Sequence, residues 1–432
     1  MLDLRYIIDN LDAVKENIKN RAMNAEADAV ARLFRARSTL TTALQAAQQK
    51  RNANAAAMKQ RPGAEAAPLD ADARGALVEE GKKLKEEIAA LEERLGALEA
   101  ELEREAKKIP NMAHPHAPCG ADDAANTELS RHGEIPRFDF TPKDHVALGQ
   151  ELDIIDFDTA TKVSGAKFYY LKNEGVFLEL GLIRYALDIL ARHGFSPLIT
   201  PDIAREEILE GIGFNPRGTE SNVYTLEDER ACLVGTAEIT LGGYFADTIT
   251  PKEKLPLRLA GLSHCFRREA GAAGQFSKGL YRVHQFTKLE MFVCCLPEHS
   301  EGEHEKLRAI EEEIFDGLGI PFRVVETCTG DLGAPAYRKW DLEAWMPGRN
   351  GGEYGEITST SNCTDYQARR LKARYKDCDG KNKFVHMLNG TAVAVSRALV
   401  AILENYQQAD GSVRVPPALA PYCGFSVIRR GV

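Results

Sequence analysis

The sequence predicts an α+β protein: an N-terminal antiparallel two-helix coiled-coil arm, then a domain on a mainly antiparallel β-sheet flanked by helices. Three observations predict it. Leu84, Ile88, Leu91, Leu95, Leu98 and Leu102 repeat at alternating spacings of four and three, which is a coiled-coil seam. Pro62-Gly63 and Pro68 break helix just upstream, where a chain would turn back. From about residue 141 onward, strand-like and helix-like runs alternate without regular βαβ crossovers, which favours an antiparallel sheet.

In chain order, residues 1–23 read as a short amphipathic helix with Leu4, Ile7, Leu11, Val14 and Ile18 on one side. Val30, Leu33, Leu40, Leu44, Ala47 and Met58 fit the heptad of the first arm helix more loosely. The arm spans 1–108, with its tip near 62–72 and helices of roughly 45–55 Å. Residues 109–140, with Pro110, Pro115, Pro118 and Pro136, read as a linker, and 141–432 as the main domain. Helix-like Val176–His193 precedes the run Phe195–Pro201, and helix-like Glu303–Leu318 precedes Phe322–Glu326.

Composition excludes some classes. The chain of 432 residues is 44% hydrophobic and 28% charged, enough for a sizeable core. A net charge of −9 argues against a generally basic nucleic-acid coat but leaves room for a local patch. One exists. From Val30 to Arg61 there are seven basic residues, including Arg32, Arg35, Arg37, Lys50 and Arg51, and no acidic one, which suits a phosphate backbone. Nine cysteines with no CxxC pair fit a reduced, cytoplasmic protein with no structural zinc. No apolar run is long enough to span a membrane, and Asp3, Arg5 and Asp9 interrupt any signal peptide.

Four stretches carry chemistry. Leu257–Glu269 and Leu280–Cys294 read as two strands joined by a Gly-rich loop. Period two puts Tyr281, Val283, Gln285, Thr287, Leu289, Met291 and Val293 on one face. Leu280, Arg282, His284, Phe286, Lys288, Glu290 and Phe292 fall on the other, and Arg267 and Glu269 share a face of the first strand. Such a face is either a solvated salt-bridge surface or a site for an anionic, aromatic ligand, and on pattern alone both readings stand. Arg397 lies in an apolar helix expected over Ala392–Tyr406, where a buried guanidinium needs an anionic partner. Glu356 and Ser359 offer oxygens suited to a hard cation. Gly235-Thr236-Ala237-Glu238 is a small loop with one carboxylate. No GxxxxGK[ST] and no GxGxxG after a strand is present, so a nucleotide would be held without either loop.

Taken together these stretches resemble the class II aminoacyl-tRNA synthetases, and within them the bacterial and organellar seryl-tRNA synthetase family. CFRREAG…GLYRVHQFTKLEMF resembles that family's motif 2 and LNGTAVAVSRALVAILENYQQADGSVRVPPAL its motif 3. Pro201 resembles the motif 1 proline at the dimer interface. GTAE and WDLEAWMPG…GEITSTSNCTDYQARR are similar to its serine and ATP signatures.

The resemblance implies a class II synthetase-like catalytic domain that activates L-serine with ATP and Mg²⁺ and transfers it to tRNA-Ser, with tRNA-Sec a further candidate. It implies a homodimer in which the arm of one subunit holds tRNA for the other. It places ATP at Arg267, Arg268, Glu269, Val283, Phe286, Glu356, Ile357, Thr358, Ser359 and Arg397, and Mg²⁺ at Glu356 and Ser359. Serine falls at Thr236, Ala237, Glu238, Arg267, Glu290, Asn389 and Thr391, the catalytic cations are Arg267 and Arg397, and tRNA meets Arg32, Arg35, Arg37, Lys50 and Arg51. The chain departs from the family in the loop GAAGQFSKG, where Lys278 is the available cation, and at Ala392, where the family often has glycine. Two rival readings are a ligase that loads an amino acid onto a carrier protein and an inactive paralogue kept for binding. The full arm speaks against the first. The presence of Arg267, Glu269, Glu290, Glu356 and Arg397 speaks against the second.

Overall fold

The structure is a computed structural model that describes residues 1–59, 71–215, 222–270 and 278–430. Leu2–Pro110 form one compact unit and Asn111–Val432, with Met1, the other. The expected arm tip therefore lies outside the described residues up to position 70, as does the loop stretch 271–277.

In the first unit the expected N-terminal helix divides at Asn10 into Leu4–Asp9 and Leu11–Asn20. Asp3 caps the first of these, its carboxylate accepting from the backbone N–H of Arg5 at 2.8 Å and of Tyr6 at 3.2 Å. Ile7, Val14 and Ile18 are buried, so the apolar side read from the sequence is the packed one. Two long helices follow, α1 (Ala27–Lys59) and α2 (Ala71–Lys108), packed antiparallel. At 1.5 Å per residue they are about 50 and 57 Å long. Leu84, Ile88 and Leu102 of the α2 seam are buried against α1, as are Val30, Ala31 and Ala47 on the α1 side.

The second unit is organised by one eight-stranded sheet. Its strands in chain order are β1 (Thr127–His132), β2 (Ser196–Ile199), β3 (Leu257–Phe266), β4 (Gln285–Cys295), β5 (Phe322–Glu326), β6 (Arg338–Met346), β7 (Glu353–Asn362) and β8 (His386–Ala394). Their order across the sheet is β1-β5-β6-β7-β8-β4-β3-β2. Every pairing is antiparallel except β2 with β3. The stretch 109–140, expected as a linker, thus contributes β1, and residues 111–140 belong to the sheet-bearing unit.

Helices α3 (Glu174–Arg192), α4 (Ser300–Gly317) and α5 (Val395–Asn405) cover one face, where Leu289, Met291, Val293 and Cys295 of β4 join the main core. Phe292 and Cys294 point the other way, into a second cluster under the short helices Glu206–Ile212, Ala237–Gly243 and Tyr366–Leu371. The adjacent cysteines Cys294 and Cys295 therefore belong to opposite cores, as strand alternation requires. Burial pushes both thiols up, Cys295 to about 12, which suits inert packing residues. Among the described residues no helix is long and apolar enough to cross a membrane.

Two sequence expectations change here. The helix expected from Ala392 begins at Val395, because Thr391, Val393 and Ala394 remain paired with β4. Ala392 is the extra residue of a bulge between the Thr391–Glu290 and Val393–Leu289 pairs. It is not among the residues of positive φ, so alanine serves there as well as glycine would. The second concerns Leu280–His284, which is a 3₁₀ turn (Gly279–Tyr281) and an extended link rather than the start of β4. Gly279 has φ +54, and a Cβ there would stand 2.3 Å from Nε2 of His145. That histidine is buried, accepts from the N–H of Leu280 at 3.1 Å and is held through Nδ1 by Glu404 at 2.7 Å. Glycine is the residue that can turn here.

Candidate active site

The face of β4 that is apolar at Phe292 turns polar at Glu290 and Lys288, and these two line a cleft above the sheet together with Phe286. Arg267 and Glu269 come from the chain just past β3, Tyr281, Arg282 and Val283 from the turn before β4. Glu356–Ser359 and Ser361 come from β7, Asn389 and Thr391 from β8, and Ser396 and Arg397 from the start of α5. Thr236 and Glu238 enter from the second core, Thr236 Oγ1 capping its short helix by accepting from the Glu238 N–H at 3.2 Å. The cleft walls carry four carboxylates and four cations.

At one end, Nη1 of Arg397 donates to the Glu356 carbonyl at 3.1 Å and lies 3.2 Å from its carboxylate, while its guanidinium packs 4.9 Å from the Tyr281 ring centre. Burial alone would raise the Glu356 carboxyl, but Arg397, Lys339 and Arg267 outweigh it and hold the group well below the usual carboxylate range. Glu356 and Ser359 are three residues apart, which in a regular strand means opposite faces. The register explains how they come together. Glu343 pairs with Glu356 and Leu342 with Thr358, so Ile357 is an extra, bulged residue that restores both oxygens to one face.

In the middle, Nε of Arg267 donates to the Gly235 carbonyl at 3.3 Å, and its guanidinium lies 5.3 Å from the Phe286 ring centre. Its backbone N–H donates to the His284 carbonyl at 2.9 Å, tying the two ends of the hairpin together. Glu269 reaches the cleft by a different route from the expected strand alternation. It lies beyond β3 with φ +52, in the left-handed region, and its carboxylate pairs with Nη1 of Arg282 at 2.5 Å.

At the other end, Oε1 of Glu238 accepts from Nε2 of Gln367 at 2.7 Å and from Nδ2 of Asn389 at 2.9 Å. Burial, with Glu290 nearby, pushes its carboxyl up to about 7. Glu290 is buried, pairs with Lys288, and accepts from Thr391 Oγ1 at 3.3 Å.

Most of the residues expected at the site therefore converge: Thr236, Glu238, Arg267, Glu269, Val283, Phe286, Glu290, Glu356, Ile357, Thr358, Ser359, Asn389, Thr391 and Arg397. Two do not line the cleft. Arg268 is exposed, its backbone N–H bonded to the Asn222 carbonyl. Ala237 is fully buried in the second core, where it fills space beside Gly261. Lys278, the loop's available cation, is engaged by Asp144. Sequence reasoning missed Tyr281, Arg282, Lys288 and Gln367. Lys288 was detectable, since it lies between Phe286 and Glu290 on the face of period two. Period two puts Tyr281 on the opposite face, because it assumes a strand where the chain in fact turns.

A sheet of this order with such a cleft defines a class II aminoacyl-tRNA synthetase core, and the family model "tRNA synthetase class II core domain (G, H, P, S and T)" matches residues 224–406. The "Seryl-tRNA synthetase N-terminal domain" model matches residues 1–113. The chain is 67% identical to the serine–tRNA ligase of Treponema denticola, over 99% of this chain and all of that one. A crystal structure of seryl-tRNA synthetase from Pyrococcus horikoshii complexed with ATP matches with a TM-score of 0.91 at 40% identity, over the whole of both chains. The cytoplasmic serine–tRNA ligase of Naegleria fowleri in complex with AMP matches at 0.87 and 30% identity, over 100% of this chain and 99% of that one. The chain belongs to the seryl-tRNA synthetase family, enzymes that ligate serine to tRNA.

Proposed function

We propose that the cleft carries out both steps of serine–tRNA ligation, with ATP at the Arg267–Phe286–Arg397 end and serine at the Glu238–Glu290 end. The observation that carries this is the division of charge. Arg397 and an ionised Glu356 stand at one end, and a buried carboxylate with hydroxyl and amide neighbours stands at the other. The likeness to a structure complexed with ATP supports the same placement.

Serine's carboxylate attacks the α-phosphorus. A new carboxyl O–P bond forms, the P–O bond to the β-phosphate breaks, and pyrophosphate leaves with that electron pair. The nucleophile is already ionised, so no protein base is needed, and positioning with charge neutralisation does the work. Arg267 reaches both substrates from the middle of the cleft, and Arg397 takes the phosphates. The Phe286 ring supplies a flat face for adenine. Glu238 is the partner for the α-ammonium, and Glu290 with Thr391 for the hydroxyl. In the second step a terminal ribose hydroxyl of tRNA-Ser attacks the seryl carbonyl and AMP leaves.

Glu356 and Ser359 fit Mg²⁺: a carboxylate kept ionised by its cationic neighbours and a hydroxyl share one strand face. A bound Mg²⁺ would supply charge to the phosphates.

The test is serine-dependent ATP–pyrophosphate exchange followed by transfer to tRNA-Ser. Both activities are expected. No exchange would overturn the reading, and exchange without transfer to tRNA would point to another acceptor.

A homodimer belongs to the same proposal. Phe177 and Leu180 on α3 are more than half exposed and Ile199 on the edge strand β2 is 87% exposed, beside Pro201. Large apolar side chains on adjoining elements at a sheet edge suit a self-association surface. Sedimentation should give twice the chain mass, with Phe177→Asp/Leu180→Asp shifting the protein to monomer. A monomeric wild type would sink this part. A cytoplasmic location is the further part, supported by nine cysteines of which none forms a disulfide among the described residues. Recovery from an oxidising extracytoplasmic fraction would count against it.

A further inference from the structure

At the serine end of the cleft, strand alternation sets Phe286, Lys288 and Glu290 side by side on β4. Lys288 and Glu290 are 5% and 2% exposed. Nζ of Lys288 engages Oε2 of Glu290 and also reaches Oγ1 of Thr391 at 3.5 Å. Thr391 Oγ1 in turn donates to that same Oε2 at 3.3 Å. The three side chains close a triangle in which one carboxylate oxygen receives two donors. Oε1 of Glu290 carries no partner among the described residues, although Glu290 lines the cleft. Glu238 lies close enough to feel both the Glu290 carboxylate and the Lys288 ammonium. Two carboxylates crowded into a buried pocket repel, and a cation close to both offsets that repulsion.

We propose that Lys288 is a specificity-determining, positioning residue: by occupying Oε2 of Glu290 it leaves Oε1 as a single fixed acceptor, which demands a hydroxyl donor from the amino acid. This rests on the reading that Glu290 receives the serine hydroxyl. An unpartnered buried acceptor rejects a ligand that lacks the donor far more strongly than a pocket rejects a missing methylene, so alanine is the substrate most penalised. Without Lys288 the carboxylate is free to rotate, to approach Thr391 with either oxygen and to lose its fixed aim.

The test is pyrophosphate exchange by the full-length Lys288→Met variant, with serine and with alanine. KM for serine is expected to rise about tenfold or more while kcat and KM for ATP stay within about threefold. The serine-to-alanine ratio of kcat/KM should fall about tenfold or more. Glu290→Gln separates the two layers. If it impairs serine use while Lys288→Met leaves KM and the ratio within about twofold, Lys288 has no such role and the Glu290 reading survives. If both variants are silent, the Glu290 reading fails and the proposal with it. In a Glu290→Gln background, Lys288→Met should add no more than about twofold; a larger, independent effect overturns action through Glu290. Equal loss with every substrate would mark Lys288 as merely structural, against the proposal. Lys288→Gln serves if the methionine variant does not fold, and failure of both to accumulate as folded protein overturns the proposal too.

Discussion

Arg397→Ala is expected to lower serine-dependent pyrophosphate exchange by about 10²–10³-fold, with KM for serine little changed. The side chain sits in the first turn of α5 and is only 18% exposed. Tyr281 and Glu356 fix its guanidinium. A preorganised donor aimed at charge that develops during reaction is worth ~3–4 kcal/mol in a partly dehydrated site, which is the basis of the fold-change. A second loss adds to the first. The guanidinium is foremost among the cations that keep Glu356 ionised, so its removal also weakens the proposed cation ligand. Arg397→Lys should recover only part of the rate. An ammonium cannot meet the carbonyl, the carboxylate and a phosphate from fixed directions, whereas a planar fork can. The effect should fall on kcat and on ATP, because the proposed serine site is at the other end of the cleft. Exchange within tenfold of wild type would refute a phosphate role for Arg397, provided the melting temperature shows the variant folded.

The sequence made the hairpin, the apolar helix with its lone arginine and the arm legible, because each rests on a short period that a reader can count. Leu289, Met291 and Val293 against Phe292 and Cys294 are strand alternation expressed as two cores. What was hidden lies where the period breaks. The bulge at Ile357 puts Glu356 and Ser359 on one face, although counting by two separates them. The left-handed backbone at Glu269 delivers its carboxylate to the cleft after β3 has ended. Gly279 turns against His145, whose own partner Glu404 is 259 residues away in sequence, so nothing local announces that turn. Asn111 shows the same limit. Its side-chain amide bonds the Cys363 carbonyl at 3.0 Å and the Pro335 carbonyl at 2.9 Å, which ties what reads as a polar, proline-rich linker to the sheet-bearing unit.

The arm permits a sharper experiment than its charge count suggests. Extending the α1 heptad through Val30, Leu33, Leu40, Leu44, Ala47 and Met58 leaves three seam positions filled by other residues: Arg37, Arg51 and Asn54. Arg37 is half-buried, with its guanidinium 4.9 Å from the Phe34 ring centre, as a residue at a seam position should be. Arg32 and Arg35 lie off the seam and are exposed, and neither has an ion-pair partner among the described residues. Both are placed to meet a phosphate backbone, as is the exposed Lys50 nearer the tip. Arg32→Ala/Arg35→Ala is therefore expected to lower kcat/KM for charging tRNA-Ser about 10–100-fold and to leave serine-dependent pyrophosphate exchange unchanged. The salt dependence of tRNA binding should become shallower by ~2 in log–log slope, about one unit per lost phosphate contact. Adding Arg37→Ala should weaken charging further but also lower the arm's thermal stability, since that side chain packs as well as carries charge. Equal loss of charging and exchange in the double variant would refute the division of labour between arm and sheet domain. An unchanged salt slope would show that Arg32 and Arg35 do not touch phosphate at all.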